Sequence, residues 1–328
     1  MVFLPEIGRK EFAILGVLGE HGTPLGAAII ARELTSHGIE LTERAVRYHL
    51  QALDRAGLTE SLGRSGRRLT EAGRLELANA RVADKVALTF ARIETLAYQT
   101  TFDVTEGSGK VAINISLFRQ SDLDAALRLM RPAFRSRYST GDLVAYFQPG
   151  QRVAGQVVPR GMVGLGTVSS VTLIGVLLHQ GIPVHSQFGG LLEVARHEPV
   201  RFTDVIQYGG TSVDPVEVFI RSRTSSVTQA VATGGGKIGA GFRTCPAVAR
   251  EHIMRLVDDM AAWRLRGVLA IGAESRPLLE MQVDVGRVAL VSCAGLNPVA
   301  VAEEAGFATA SHAMAMMLHY KDLEPIAG

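Results

Sequence analysis

Two groups of side chains in this sequence have the types and spacing for chemistry, and in both cases it is the chemistry of recognition. Arg44, Arg47, Tyr48 and Gln51 recur at helical intervals, opposite the stripe Val46, Leu50 and Leu53. A helix with one face in a core and the other offering donors can read base edges in a DNA major groove. Arg64, Arg67 and Arg68 follow in and after the turn Gly63-Arg64-Ser65-Gly66, where cations reach phosphates or the minor groove. The second group suits a small anion. Thr167, Ser169 and Ser170 open the apolar run Val171, Leu173, Ile174, Val176, Leu177 and Leu178, and a helix start presents free N–H groups and partial positive charge. A further loop, Gly234-Gly235-Gly236-Lys237 with Gly239, Gly241 and Arg243, carries two cations.

Catalytic chemistry finds little support. The nine histidines are scattered, with no HExxH, HxxxH or Cys/His cluster. His312 and His319 have the spacing to share a helix face, and His179 and His185 flank a turn. No G-x-S-x-G elbow occurs. Cys293 ends a strand beside a glycine turn; it is either a nucleophile or, more simply, a buried structural thiol. The Gly234–Lys237 loop is no phosphate-binding P-loop, because Ile238 follows the lysine and Val231 stands where the first glycine belongs. The expectation is no enzyme, no metal and no cofactor.

The elements that position the first group are local. Gly8 to Glu20 has helical spacing, and His21-Gly22 stops it. Pro24 starts a second helix with Ile29, Ile30 and Leu34 facing one side, ended by Gly38. Thr42 caps a third helix, and Gly57-Leu58 closes it. Leu58–Leu62 and Arg67–Leu69 flank a turn as a β-hairpin, and Thr70-Glu71 starts another helix. Three helices and a hairpin make a winged helix-turn-helix. Between Leu41 and Arg74 seven arginines face four acids, so the basicity is local. The other uses of such a fold are a solvated helix face or protein contacts. The segment TERAVRYHLQALDRAGLTE…GRSGRRLTEAG resembles the winged-helix domain at the front of ribonuclease R and of NrpR-type repressors, over about the first 72 residues.

Leu75, Val82, Val86, Phe90, Ile93 and Leu96 space one long amphipathic helix, fit to pair with a twin in a dimer or to pack on its own C-terminal domain. Asp103–Gly109 reads as a linker. Lys110–Phe118 alternates as a strand, Ser121 caps a helix, and the helix Ala247–Arg264, the strands Gly267–Ile271 and Val288–Cys293, and a last helix Pro298–Ala305 follow. Both periods in mixed order mean an α/β (α+β) domain with a mixed sheet.

The stretch Gly161–Leu192 contains no Asp, Glu, Lys or Arg. Gly164 and Gly166 read as a turn before a buried helix that Gly181 caps, with Ile182-Pro183-Val184 extended after it. It is an anion site or a glycine-rich core helix; Gly, Ser, Thr and His179 make it too polar to span a membrane. Phe188-Gly189-Gly190-Leu191, Tyr208-Gly209-Gly210-Thr211…Asp214-Pro215 and Cys293-Ala294-Gly295-Leu296-Asn297-Pro298 are either related turns around one site or a diverged internal repeat.

The phrases GLGTVSSVTLIGVLL, GIPVHSQFGGLLEV, YGGTSVDPVEVFI and AGLNPVAVAEEAG resemble the NrpR regulatory domain, over roughly residues 105–328. That resemblance implies a transcriptional repressor of nitrogen-metabolism genes that binds palindromic operators as an oligomer and is released by 2-oxoglutarate. Some family members carry two copies of this domain and one copy is found here, so the oligomer state and regulon of those members do not carry over to this chain. The two anionic groups of a dicarboxylate effector need two donor sets: Thr167, Ser169 and Ser170 for one, Lys237 or Arg243 for the other. The expected organisation is a DNA-binding domain over residues 1–72, a linker helix over 73–104, and a ligand-binding, dimerising domain over 105–328. The other reading is a metabolite-binding domain or enzyme whose winged helix contacts protein or RNA.

At 328 residues and 47% apolar, with net charge +2, the chain can bury one large core or two smaller ones. Two cysteines without CxxC spacing fit a reducing compartment. MVFLPEIGRKEF lacks the apolar core of a signal peptide. The expected location is cytoplasmic, with DNA, a small dicarboxylate and a second copy of the chain as partners and no membrane.

Overall fold

Helix α3 (Glu43–Arg55) is shaped by signals within its own sequence. Thr42 Oγ1 accepts the N–H of Ala45 at 3.2 Å, satisfying a donor the helix start leaves open. At the other end Gly57 takes φ +72°, a left-handed conformation that glycine adopts without strain. The Leu58 and Gly57 N–H groups return to the carbonyls of Leu53 and Asp54, both at 3.0 Å, and Leu58 is buried against the helix end.

The computed structural model describes residues 9–36, 39–77 and 88–326 and divides into two units, Met1–Val86 and Ala87–Gly328. In the first, α1 (Arg9–His21) and α2 (Ala27–Ser36) precede α3. Strands β1 (Thr59–Ser61) and β2 (Arg67–Leu69) form the antiparallel wing, with Thr59 opposite Leu69. Helix α4 spans residues 71–77, its first turn capped by Thr70 Oγ1 on the Gly73 N–H at 3.0 Å. Ile14, Leu15, Ile30, Leu34, Val46, Leu50 and Leu58 make the core. Pro24 does not start α2. Leu25 instead exchanges two 2.9 Å backbone bonds with Arg67, which extends the wing and delays the helix to Ala27. Ile29 is 44% exposed, so Ile30 and Leu34 carry the buried face without it. Gly38 lies outside the described residues.

The second unit begins with α5 (Leu88–Gln99). Of the single helix expected over 75–96, Val82 and Val86 fall outside the described residues. Helix α5 packs within its own unit: Ile93, Leu96 and Ala97 are buried, and Gly175 lies under Thr100 and the Ala97 carbonyl. The expected linker Asp103–Gly109 is a tight turn in the same unit. Asp103 pairs with Ser108, and the Trp263 indole donates to the Val104 carbonyl at 2.7 Å.

From there the chain runs β3 (Lys110–Arg119), α6 (Leu123–Arg135), β4 (Leu143–Phe147), β5 (Arg152–Val153), β6 (Gln156–Val157), β7 (Met162–Val168), α7 (Val171–His179), β8 (His185–Ala195) and β9 (Glu198–Gln207). Then come α8 (Pro215–Arg221), α9 (Val227–Thr233), β10 (Gly236–Pro246), α10 (Arg250–Ala262), β11 (Val268–Ile271), β12 (Arg287–Cys293), α11 (Asn297–Glu304), β13 (Ala310–His319) and β14 (Glu324–Pro325). The α/β (α+β) class holds, but the expected mixed sheet is two five-stranded sheets, ordered β13-β3-β7-β4-β14 and β11-β12-β10-β8-β9, with every pair antiparallel. Helical crossovers do join parallel strands here, β3 to β4 and β10 to β11. A third strand, β7 or β12, lies between each pair and reverses the direction.

The unit is an internal duplication. With the short β5–β6 hairpin set aside as an insertion, the order strand, helix, strand, strand, helix, strand over β3 to β8 repeats over β10 to β13. The start of β12 follows that of β7 by 125 residues, and β13 follows β8 by the same 125. The halves exchange their last strands: β8 of the first half pairs with β10, and β13 of the second pairs with β3. One apolar cluster draws on both sheets, with Ala112, Phe118 and Leu165 from one and Phe188, Leu192, Phe242 and Val291 from the other.

Several glycine-rich stretches expected as turns are strands. Gly164 and Gly166 lie in β7, where a Cβ would stand 3.1 Å from the Phe147 side chain at either position. Here glycine serves close approach of a neighbour, a use that reads like a turn in sequence. Phe188–Leu191 lies in β8, and the loop expected at Gly236–Arg243 is β10. His312 and His319 lie in strand β13, so they share no helix face. Asp122, not Ser121, precedes α6, and the Ser121 hydroxyl bonds the Asp122 carboxylate at 2.8 Å. Among the described residues no helix is long and apolar enough to cross a membrane.

Candidate functional site

On the first unit, Val46, Leu50 and Leu53 face the core, and Arg44, Arg47, Tyr48 and Gln51 are exposed on the opposite face of α3. Tyr48 is 67% exposed, its ring edge-on to that of the neighbouring His49. Arg47 pairs with Glu43 one turn back, an exposed contact that is weak and easily given up. The wing arginines divide. Arg64 is exposed at the tip, and Arg68 is exposed and paired with Glu60 at 2.6 Å. Arg67 points the other way, as neighbours on a strand must, and its Nε donates to Asp54 of α3 at 2.8 Å. It ties the wing to α3 and is not presented at the tip.

The second unit holds a cavity of about 30 Å³ where the two equivalent strand-to-helix turns of the duplication meet. Ser169 and Ser170, between β7 and α7, line one wall; Ala294 and Gly295, between β12 and α11, line another. Gly295 is required by this approach, since a Cβ there would lie 2.0 Å from the Val168 carbonyl oxygen and 2.5 Å from Asn114 Nδ2. Arg243 of β10 closes the cavity although its side chain is only 1% exposed. Its Nη1 donates to Ser292 Oγ at 2.7 Å and its Nη2 to Ser170 Oγ at 3.0 Å, while Nε has no partner. Among the described residues no carboxylate comes within 4.0 Å of it. A buried guanidinium normally has an anionic partner, because desolvating the charge costs several kcal/mol. The N-terminus of α7 lines the same space through Ser170 and Val171, so two sources of positive charge border the cavity.

Asp214 and Tyr208 complete the lining. Asp214 caps α8 by accepting the N–H of Val216 at 2.8 Å and of Glu217 at 3.4 Å. Burial first, and the Glu217 charge second, push its carboxyl up to about 6 against the pull of those N–H groups and of Arg243. Burial likewise pushes the Tyr208 phenol up to about 12. The Cys293 and Cys245 thiols rise to about 12 and about 11 for the same reason, so neither is a nucleophile at neutral pH.

The structure thus brings together Ser169, Ser170 and Arg243. Thr167 lies one step away in β7, its Oγ1 accepting from Asn114 Nδ2 at 3.2 Å, and Asn114 lines the cavity. Lys237 is elsewhere. It opens β10, six residues before Arg243 or about 20 Å along a strand, and faces Asp204 at 3.8 Å. Asn114, Tyr208, Asp214 and Gly295 are further site residues that residue type and spacing do not mark. The last three lie in the glycine phrases, and Asn114 is the lone amide in the apolar strand KVAINISLF. Two of those phrases do surround one site, and they belong to a duplicated unit.

Comparison with known proteins agrees with both halves. Residues 12–77 match the ribonuclease R winged-helix domain, and residues 86–325 match the NrpR regulatory domains NRD1 and 2. The chain is 34% identical over 322 residues to the global nitrogen regulator NrpRI of Methanosarcina mazei, covering 98% of this chain and 99% of that one. It is 32% identical to the global nitrogen regulator NrpR of Methanococcus maripaludis, over 90% of this chain but 52% of the longer relative. For NrpR of Methanocaldococcus jannaschii the identity is 29%, over 92% of this chain and 52% of the other. All three relatives are named as regulators, none as an enzyme. The fold matches the crystal structure of a nitrogen repressor-like protein from Methanococcus jannaschii with TM-score 0.61 and 24% identity, over 73% of this chain and 98% of that one. A regulatory-domain match over more than half the chain and a full-length relative at 34% identity lead to one conclusion: the chain belongs to the NrpR family of nitrogen regulators.

Proposed function

We propose that the chain is a ligand-responsive transcriptional repressor of nitrogen-metabolism genes. It binds palindromic operator DNA as a homodimer or higher homo-oligomer in the cytoplasm and lets go when 2-oxoglutarate binds. The exposed face of α3, with Arg44, Arg47, Tyr48 and Gln51, reads the major groove, while Arg64 and Arg68 of the wing reach the backbone. The observation that carries the effector half is Arg243: a buried guanidinium that no carboxylate of the described residues contacts within 4.0 Å, beside Ser170 and the start of α7. Ser169, Ser170, Arg243 and Asn114 hold one carboxylate of the effector.

At about 30 Å³ the cavity takes a carboxylate-sized group and not a whole five-carbon dicarboxylate. Full binding therefore requires the two turns to part. A ligand that favours the parted state shifts the unit toward it, and that change is what the operator-bound form responds to. Coupling of about 1–3 kcal/mol would loosen operator binding about 5- to 150-fold.

The test is calorimetric titration of the full chain with 2-oxoglutarate, with glutamate and succinate as controls, followed by operator binding with and without the effector. Saturable binding of 2-oxoglutarate alone, with release of a palindromic duplex, is the expected result. An absence of binding breaks the effector assignment, and binding to DNA that ignores sequence breaks the operator assignment.

A further inference from the structure

We propose that Asp214 is the resident counter-ion of Arg243, and that it takes up a proton when an anionic effector enters, so that effector binding is coupled to pH. The proposal rests on the effector reading above and adds a regulation to the same site.

The charges around the cavity make the case. Arg243 is its single cation among the described lining residues, and Asp214 its single acid. Asp214 Oδ1 takes the two N–H groups of the α8 start, while its other oxygen takes no hydrogen bond from the described residues. The cavity therefore holds one buried positive group, Arg243, and one half-buried negative group, Asp214, among its lining residues. An incoming dicarboxylate brings two negative charges to a space with one guanidinium. Bringing them in beside an ionised, half-buried Asp214 leaves the cavity with uncompensated negative charge, which is disfavoured. Neutralising Asp214 removes that conflict and frees Arg243 for the ligand.

The remaining neighbours offer no other route. Glu217, also on α8, is held by the Ala313 N–H of β13 and by Arg221 at 3.4 Å, and its charge adds to the repulsion. Tyr208 is the other titratable group against Asp214, and its phenol stays protonated. The other residues lining the cavity from β3, the β7–α7 turn, the β12–α11 turn and α5 are Asn114, Ser169, Ser170, Ala294, Gly295 and Ile93, none of which titrates. In the empty site the Asp214 carboxyl already stands at about 6, so a like charge beside it carries it through neutrality.

The residue type makes the idea testable. Asn caps a helix as well as Asp, so Asp214→Asn keeps the start of α8 and removes only the charge. The experiment is calorimetry of the full chain with 2-oxoglutarate, near neutral pH, in buffers of different ionisation enthalpy. It is repeated across the range from about pH 6 to about pH 8. The ligand's carboxyls titrate at about 4 and stay out of the way. The wild type should take up as much as about one proton per ligand, and its affinity should fall by up to about tenfold per pH unit. In Asp214→Asn the proton uptake and the slope should both vanish. Wild-type binding whose heat is the same in every buffer overturns the proposal even if the variant does not fold, and so does an unchanged slope in the variant. Failure of 2-oxoglutarate to bind either protein at any pH instead refutes the effector reading, and this inference with it.

Discussion

Replacing Arg243 with methionine should separate ligand binding from stability. In the folded state this guanidinium makes two hydrogen bonds to serine hydroxyls and leaves Nε without a partner. Removing it forfeits those bonds and strands two hydroxyls, at about 1–3 kcal/mol each. It also relieves the desolvation of a buried charge that no carboxylate contacts directly, worth several kcal/mol in the opposite direction less the attraction to Asp214 across the cavity. Methionine fills the stem's volume flexibly. The two sides nearly cancel, so unfolding by urea should shift by no more than about 2 kcal/mol in either direction. The effector loses two charge-assisted bonds of about 1.5–3 kcal/mol each, so its dissociation constant should rise about 10²- to 10⁴-fold. The assays are urea unfolding followed by circular dichroism, calorimetry with 2-oxoglutarate, and operator release. A variant destabilised by more than about 4 kcal/mol that still binds effector normally would show that Arg243 is a structural residue and refute the argument.

Three further outcomes follow from the geometry. Arg64→Ala should leave stability alone and lower the salt slope of operator binding by about 1, whereas Arg67→Ala should destabilise the winged-helix unit by about 1 kcal/mol through loss of its Asp54 bond; equal effects of the two in either assay would contradict the division. Gly295→Ala puts a methyl 2.0 Å from a backbone oxygen, and a urea midpoint lower by the equivalent of about 1–3 kcal/mol is expected, with unchanged stability counting against the fit of the two turns. The hydrogen bond from Arg264 holds the Asp142 carboxyl below its usual 3.8. Its contribution is therefore present above that value and fades as pH falls through the folded-state pKa. Asp142→Asn should be less stable than wild type at neutral pH and converge with it in acid; a constant gap at all pH values would argue otherwise.

The parts legible in the sequence are those whose causes are local. The cap at Thr42, the stripe Val46, Leu50, Leu53 and the glycine stop at Gly57 all act within one helix, and each stands where its spacing put it. Glycine misled where its second use applied, for Gly164 and Gly166 lie under Phe147 in mid-strand and read just as well as a turn. The chemistry of Ser169, Ser170 and Arg243 was legible from residue type, but their meeting was not. It depends on β8 pairing with β10 across the exchange, and no local pattern shows which strands swap. The same holds for Asp214, which reads as an ordinary helix cap until Arg243 is seen on the same cavity.

The duplication has one more consequence. In a dimer of identical halves, a pocket between two equivalent turns has identical walls, and the two ends of a ligand inside it cannot be told apart. Here the halves are joined in one chain and have diverged. Arg243 is flanked by Leu290 and Ser186, and the position flanked by their counterparts Leu165 and Ser311 is Ser116. Ser170 likewise faces Gly295. One side carries a guanidinium where its counterpart carries only a serine, and a serine where its counterpart carries a glycine. A pocket of this kind has a head and a tail, and it can discriminate between molecules that differ only at one end.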